Sequence, residues 1–177
     1  MPQRLVVSGI VEHPRFQSLH PALRGVIGGW QSNFIFTAVA GTPITIFSGV
    51  DNALMGIGGN RADLTGESSS LPGGRSRSEQ ILAWFNTKAF KTNAVGTIGQ
   101  VGRNTLRAPG AWNADYSAFK EFNLVERARL QFRGEFFNLF NHTRLGGPNT
   151  SVTSTAFGRI ASAYQPRIVQ LGLKFIF

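Results

Sequence analysis

In the stretch ARLQFRGEFF, Ala128 to Phe137, Arg129, Gln131, Arg133 and Glu135 alternate with Leu130, Phe132, Gly134 and Phe136. Successive side chains of a strand point to opposite faces, so this segment sets a polar row against an aromatic one. It needs water on one side and an apolar medium on the other. A helix, repeating every 3.6 residues, would scatter both sets around its circumference. Two settings satisfy the constraint: a half-buried strand of a soluble β-sandwich, or a strand with one face in lipid and one in a wet lumen.

The same alternation recurs along the chain. Leu5, Val7, Gly9 and Val11 share a face between Arg4 and Glu12, and Pro14 closes that stretch. Trp30, Phe34, Phe36, Ala38 and Ala40 alternate with Gln31, Asn33 and Thr37, and the pattern is compatible with an extension through Pro43 to Phe47. Trp112, Ala114, Tyr116, Ala118, Phe122 and Leu124 share a face interrupted by Lys120; Asn113, Asp115, Ser117, Glu121 and Asn123 share the other, interrupted by Phe119. A last strand is expected from about Arg159 to Phe177. There Val169, Leu171, Leu173, Phe175 and Phe177 lie opposite Ile168, Gln170, Gly172, Lys174 and Ile176. The chain therefore reads as all-β, an antiparallel meander of about five strands in chain order.

Connection lengths divide unevenly. Short ones are expected around Phe16 to Gly25 and at a tight turn from Val125 to Arg127; long ones fill about 48–111 and about 142–158. The longest is punctuated by Gly, Ser and Asp without a sustained period, apart from one short helical turn at SEQILAWF. A loop of that size is foreign to a compact soluble domain and ordinary on the outer side of an outer-membrane barrel.

Composition narrows the classes. With 21 glycines and 15 phenylalanines in 177 residues, the chain favours pleated surfaces and turns. It has no apolar run long enough for a transmembrane helix, so a membrane role falls to a closed barrel, in which every backbone group is paired. In such a wall, tilted by about 40 degrees, ten residues climb about 25 Å, the height of the apolar band. Trp112 and Phe122 are separated by ten positions and share a face, which puts an aromatic at each interface; Arg167 and Phe177 have the same spacing.

Other chemistry finds little support. The net charge of +9 comes from basic residues spread from Arg4 to Lys174 without a block, which argues against a nucleic-acid partner. Zero cysteines and three scattered histidines, His13, His20 and His142, provide no transition-metal centre. Asp51, Asn52, Asn60 and Asp63 could offer oxygens to calcium, but such residues are also ordinary loop formers. Gly56 to Asn60 lacks the lysine of a phosphate-binding loop, and Asn141-His142-Thr143 is a sequon best read as a strand turning into a loop. With no arrangement resembling a nucleophile, base and acid, the expectation is a non-enzyme without cofactor. The opening, MPQRLVVSGIVEHP, does not read as a signal peptide.

At the end of the chain, Gln170, Gly172, Phe175 and Phe177 resemble the carboxy-terminal signal that barrel-assembly machinery reads on the last strand of bacterial outer-membrane proteins. The stretches GWQSNFIFTAVAGTPITIFSG, AWFNTKAF, GRNTLRAPGAWNADYSAFKEF and LQFRGEFFNLFNHT resemble the last part of TonB-dependent outer-membrane receptors, in particular the Oar-like, carboxypeptidase-regulatory-like group. Within them, EFFNLFNHT, Glu135 to Thr143, is the most specific. The resemblance covers about Arg4 to Phe177. It implies part of a large transmembrane β-barrel in the bacterial outer membrane that imports a bulky ligand, with lipid, the assembly machinery, the rest of the barrel and a plug as partners.

The TonB box and plug of that group, and about seventeen of its twenty-two strands, have no counterpart here. Residues 1–177 accordingly read as a carboxy-terminal barrel segment lacking the plug, which would reach TonB only through a missing amino-terminal part. Arg129, Gln131, Arg133 and Glu135 would face the lumen. The alternative from the residues alone is a soluble basic β-sandwich module that binds a polyanion or carbohydrate.

Overall fold

The computed structural model describes residues 3–18, 20–56, 58–125 and 128–177. In chain order its strands are β1 (Arg4–Glu12), β2 (Gln31–Val39), β3 (Pro43–Ile44), β4 (Asp63–Leu64), β5 (Phe90–Lys91), β6 (Leu106–Arg107), β7 (Ala111–Val125), β8 (Ala128–Phe137) and β9 (Ile168–Ile176). Among the described residues two short α-helices, α1 (Pro21–Ile27) and α2 (Arg77–Leu82), and one 3-10 turn, Thr87–Ala89, fall in the connections. Five strands make one antiparallel sheet in the order β1-β2-β7-β8-β9, which is the chain-order meander expected from the alternation. β1, β2 and β9 have nine residues each, β8 has ten and β7 fifteen. A tilted strand needs about 9–11 residues to cross a bilayer, so every strand of this sheet is long enough.

The chain divides into two compact units. One comprises the sheet strands with their short connections, 3–39, 112–143 and 165–177; the other is built from 40–111 and 144–164. The sheet unit has almost no interior: all nine residues of β1 and eight of the nine in β9 are exposed. The second unit, by contrast, has a core of Ile46, Ala62, Phe85, Ala89, Phe90 and Val101. Phe85, Phe90 and Phe157 meet edge to face there, with centroids 5.3 to 6.3 Å apart. Its backbone is tied across long sequence separations, for example Val101 N–H to the Ala62 carbonyl at 3.0 Å and Ile160 N–H to the Ile81 carbonyl at 2.9 Å. Gly99 belongs to this weave: an added Cβ would lie 1.8 Å from the Arg61 carbonyl oxygen. The long connection expected as loop is thus a folded element with its own packing.

Three boundaries differ from the sequence reading. The last strand starts at Ile168, short of the expected Arg159, because Ile160 is buried in the second unit and bridges Pro148, while Ala163 bridges Leu145. Pro166, which lacks an N–H for the ladder, separates that region from β9. β2 ends at Val39 and does not run on to Phe47; Pro43–Ile44 pairs instead with Leu106–Arg107. The connection from β1 to β2 holds a helix with Pro21 at its first turn, closed by Gly28 N–H on the Arg24 carbonyl at 3.1 Å. Gly28 is required there, since a Cβ would come 2.8 Å from the Arg15 carbonyl oxygen.

The helical turn expected at SEQILAWF is α2, held by a capping box in which Ser76 and Glu79 satisfy each other's backbone N–H groups. Of the tight turn expected from Val125 to Arg127, β7 ends at Val125 and β8 starts at Ala128; residues 126 and 127 lie outside the described residues.

Candidate functional site

Register fixes which side chains share a face. Pairing of β7 with β8 sets Glu121 beside Gln131, Phe119 beside Arg133 and Ser117 beside Glu135. Pairing of β8 with β9 sets Ile176 beside Arg129, Lys174 beside Gln131, Gly172 beside Arg133 and Gln170 beside Glu135. The row Arg129, Gln131, Arg133 and Glu135 is therefore the middle of a polar face three strands wide. The carboxylates Glu121 and Glu135 on it are matched locally. Arg129 Nη1 lies 3.4 Å from Glu121 Oε2, Gln131 Nε2 donates to Glu121 Oε1 at 3.1 Å, and Arg133 Nε lies 3.4 Å from Glu135 Oε1. Both ion pairs are partly exposed, so they orient side chains more than they stabilise the sheet. Higher on this face, Asn33, Asp115, Ser117, Arg133 and Glu135 line a recess of about 210 Å³.

The opposite face carries Leu130, Phe132, Gly134 and Phe136 beside Phe175, Leu173, Leu171 and Val169. On its β7 flank lie Phe122, Lys120, Ala118 and Tyr116. Leu171, Leu173 and Phe175 are exposed although no polar residue shares their row, which is the pattern of a wall facing lipid. The four residues of the terminal motif divide accordingly. Gln170 and Gly172 sit on the polar face and Phe175 on the apolar one; Phe177, 94% exposed, follows the strand with its ring centroid 5.9 Å from that of Phe175.

Trp112 and Phe122 occupy the two ends of the apolar face of β7, in different surroundings. The Trp112 indole stacks on His142 at 4.1 Å and meets Phe140 at 6.0 Å. Phe122 lies under the Lys120 ammonium, which stands 5.1 Å from its ring.

The stretch Glu135 to Thr143 has a compact physical explanation. Asn138 takes a φ of 54°, in the left-handed region that asparagine tolerates, and ends the strand. Its side chain donates to the His142 carbonyl at 3.0 Å and accepts from the His142 N–H at 2.9 Å, closing the turn that brings His142 onto Trp112. Asp115 accepts the Asn138 N–H at 2.9 Å and the Asn113 amide at 2.7 Å. Two features escaped the sequence reading: Asp115 as the anchor of this turn, and Lys120, which reads as an interruption of an apolar row. A third is the chain His13 Nε2, Ser32 Oγ and Tyr116 OH, linked at 2.9 and 2.8 Å.

The candidate calcium residues are engaged in hydrogen bonds of the loop: the Asn60 amide donates to Asp51, and the Asn52 amide donates to the Asn93 carbonyl at 2.6 Å. Asp51 accepts from the Gly56 N–H and the Asn60 amide, both at 2.7 Å, while Asp63 accepts the Gln100 N–H at 2.9 Å. The Asn60 hydrogen bond and that from Gly56 hold the Asp51 carboxyl below its ordinary pKa.

A single antiparallel sheet with one polar, charged face and one exposed apolar face is a wall segment of a transmembrane β-barrel; among the described residues the remaining strands form only two-residue pairs, so no second sheet packs a sandwich. The sequence matches the outer membrane beta barrel domain family over residues 1–170, and the chain belongs to that family. The protein is therefore one of the bacterial outer membrane. Among curated proteins and among solved structures, none matches the chain.

Proposed function

We propose that this chain is the carboxy-terminal barrel segment of a TonB-dependent, Oar-like receptor that takes up a bulky ligand without catalysis. The observation that carries the reading is the five-stranded wall itself, whose β1 and β9 each pair on one side only among the described residues. Barrel circumference grows with strand number, and five strands cannot close a lumen. Further strands must therefore cover those edges, as in a large receptor barrel. Long connections also leave this sheet from one end, the arrangement of outer-surface loops.

In this reading Arg129, Gln131, Arg133 and Glu135 line the lumen, where a plug or ligand meets them. Trp112 and Phe122 mark the two lipid interfaces. Gln170, Gly172, Phe175 and Phe177 are read by the assembly machinery as β9 adds to an open strand edge.

Mass spectrometry of outer membranes from the producing cells tests the proposal. Peptides of this sequence should belong to a heat-modifiable species several times the 19.3 kDa of this chain, and that species should crosslink to TonB. A folded barrel of large size with no TonB crosslink, or a species of 19.3 kDa in the soluble fraction, would reject it.

A further inference from the structure

Helix α1 buries none of its residues, and Leu23, Val26 and Ile27 are 56%, 63% and 47% exposed. It is nevertheless firmly attached to the sheet unit. The Trp30 indole N–H donates to the Val26 carbonyl at 2.9 Å, and Lys120 donates to the carbonyls of Gly25, Val26 and Gly28 at the end of the helix. Lys120 projects from the apolar face of β7 yet is only 6% exposed, with its ammonium 5.9 Å from the Trp30 ring. A cation in an apolar row thus serves as the helix's C-terminal partner, where the dipole favours positive charge.

Beside this contact lies a recess of about 500 Å³ whose lining includes Arg15, Arg24, Lys120, Phe122 and Asn123. Neither Arg15 nor Arg24 has a carboxylate partner among the described residues. Glu121 borders the same recess, but its carboxylate is engaged on the opposite face by Arg129 and Gln131. The recess therefore holds two arginines without a carboxylate partner among the described residues, and the helix that supplies Arg24 also exposes Leu23, Val26 and Ile27. The recess sits where β1 joins β2 and β7 turns into β8, the short-connection end, which in outer-membrane barrels is periplasmic.

We infer that this recess binds the headgroup phosphate of an anionic phospholipid in the periplasmic leaflet, with α1 lying in the interface. Arg15 and Arg24 provide planar forks suited to phosphate oxygens. The acyl chains run along the apolar face of the sheet beside Leu23, Val26 and Ile27. A soluble anion would gain nothing from those apolar side chains, whereas a lipid uses both parts. The inference rests on membership of the outer-membrane family and is independent of transport or TonB.

The test is electron paramagnetic resonance of the intact barrel that carries this segment, in phosphatidylcholine bilayers with spin-labelled phosphatidylglycerol or spin-labelled phosphatidylcholine. The immobilised fraction gives the relative affinity. A preference for phosphatidylglycerol of at least about fivefold is expected, since one basic residue near an anionic surface supplies that factor and the recess holds two. Arg15→Gln with Arg24→Gln should reduce it to near unity, while Arg15→Lys with Arg24→Lys, which keeps the charge without the planar fork, should fall between that and the native preference. Arg103→Gln with Arg159→Gln, which removes the same charge from exposed positions outside the recess, should leave it intact. Absence of a preference in the native sequence, its survival in the double Gln variant, or equal loss in the remote pair would overturn the site. Abolition by millimolar inorganic phosphate would reassign it to a soluble anion and likewise overturn the lipid inference.

Discussion

Asn138 shows how one residue can join two strands to a turn. It ends β8 with a left-handed backbone, bonds His142 twice through its side chain and offers its N–H to Asp115 on β7. Replacing it by alanine adds backbone strain that asparagine tolerates, removes both side-chain bonds and leaves His142 without its tether. The expected cost is about 2–3 kcal/mol, from about 1 for a left-handed alanine and about 1 for each lost bond. It should appear as a lower urea midpoint of the folded barrel, with Asn138→Gly recovering the backbone part. Asn138→Ala behaving like the parent would mean that the turn is held by other contacts. Asp51 carries a pH-dependent version of the same economy. Its folded pKa is lowered by the Asn60 and Gly56 hydrogen bonds, so its contribution is fully present above the ordinary carboxylate value of about 4 and is lost as pH falls through the lowered one. The protection of the Gly56 amide, measured against its intrinsic exchange rate at each pH, should therefore fall on acidification, and Asp51→Asn should remove that dependence; an unchanged protection profile in Asp51→Asn would contradict it.

At the scale of elements, the two units respond to different substitutions. Ile46 is fully buried in the core of the second unit, and Ile46→Ala should cost about 2–5 kcal/mol there. Proteolysis within 40–111 should then become fast while the sheet strands stay protected; simultaneous loss of both would show that the units unfold as one. The contrast also explains what could be read in advance. β1, β2, β7 and β8 were legible because a wall between water and lipid enforces a period of two on every strand. The second unit, apart from the helical turn at SEQILAWF, was not, because its core gathers Ile46, Ala62, Phe85 and Val101 from distant positions without any period. For the same reason the apolar residues Ile160 and Ala163 extended the last strand on paper, whereas they pair within the second unit. Lys120 reads as a defect in an apolar row until the carbonyls of Gly25, Val26 and Gly28 are seen around it. The polar row on β8 needed only parity, and register then added Gln170, Gly172 and Lys174 to its face.

For the whole molecule, the exposed apolar face and the open edges of β1 and β9 decide behaviour in solution. Isolated in plain buffer, the chain should aggregate or need detergent, because an unpaired edge is a template for another strand. A monodisperse monomer by light scattering would contradict the wall assignment. The last strand provides the sharper test. Phe177 follows β9 on the parity of Phe175 and is 94% exposed, whereas Ile176 pairs with Arg129 on the polar face. A carboxylate at a lipid interface costs only about 0–1 kcal/mol, so membrane energetics alone would barely separate Phe177→Asp from Ile176→Asp. Recognition by the assembly machinery would separate them widely, since only Phe177 belongs to the terminal motif. In a full-length receptor carrying this ending, heat-modifiable gel mobility should show strongly reduced insertion for Phe177→Asp and near-parental insertion for Ile176→Asp. Equal insertion of the two would remove the assembly role from Phe177 and leave the ending as an ordinary lipid-facing strand.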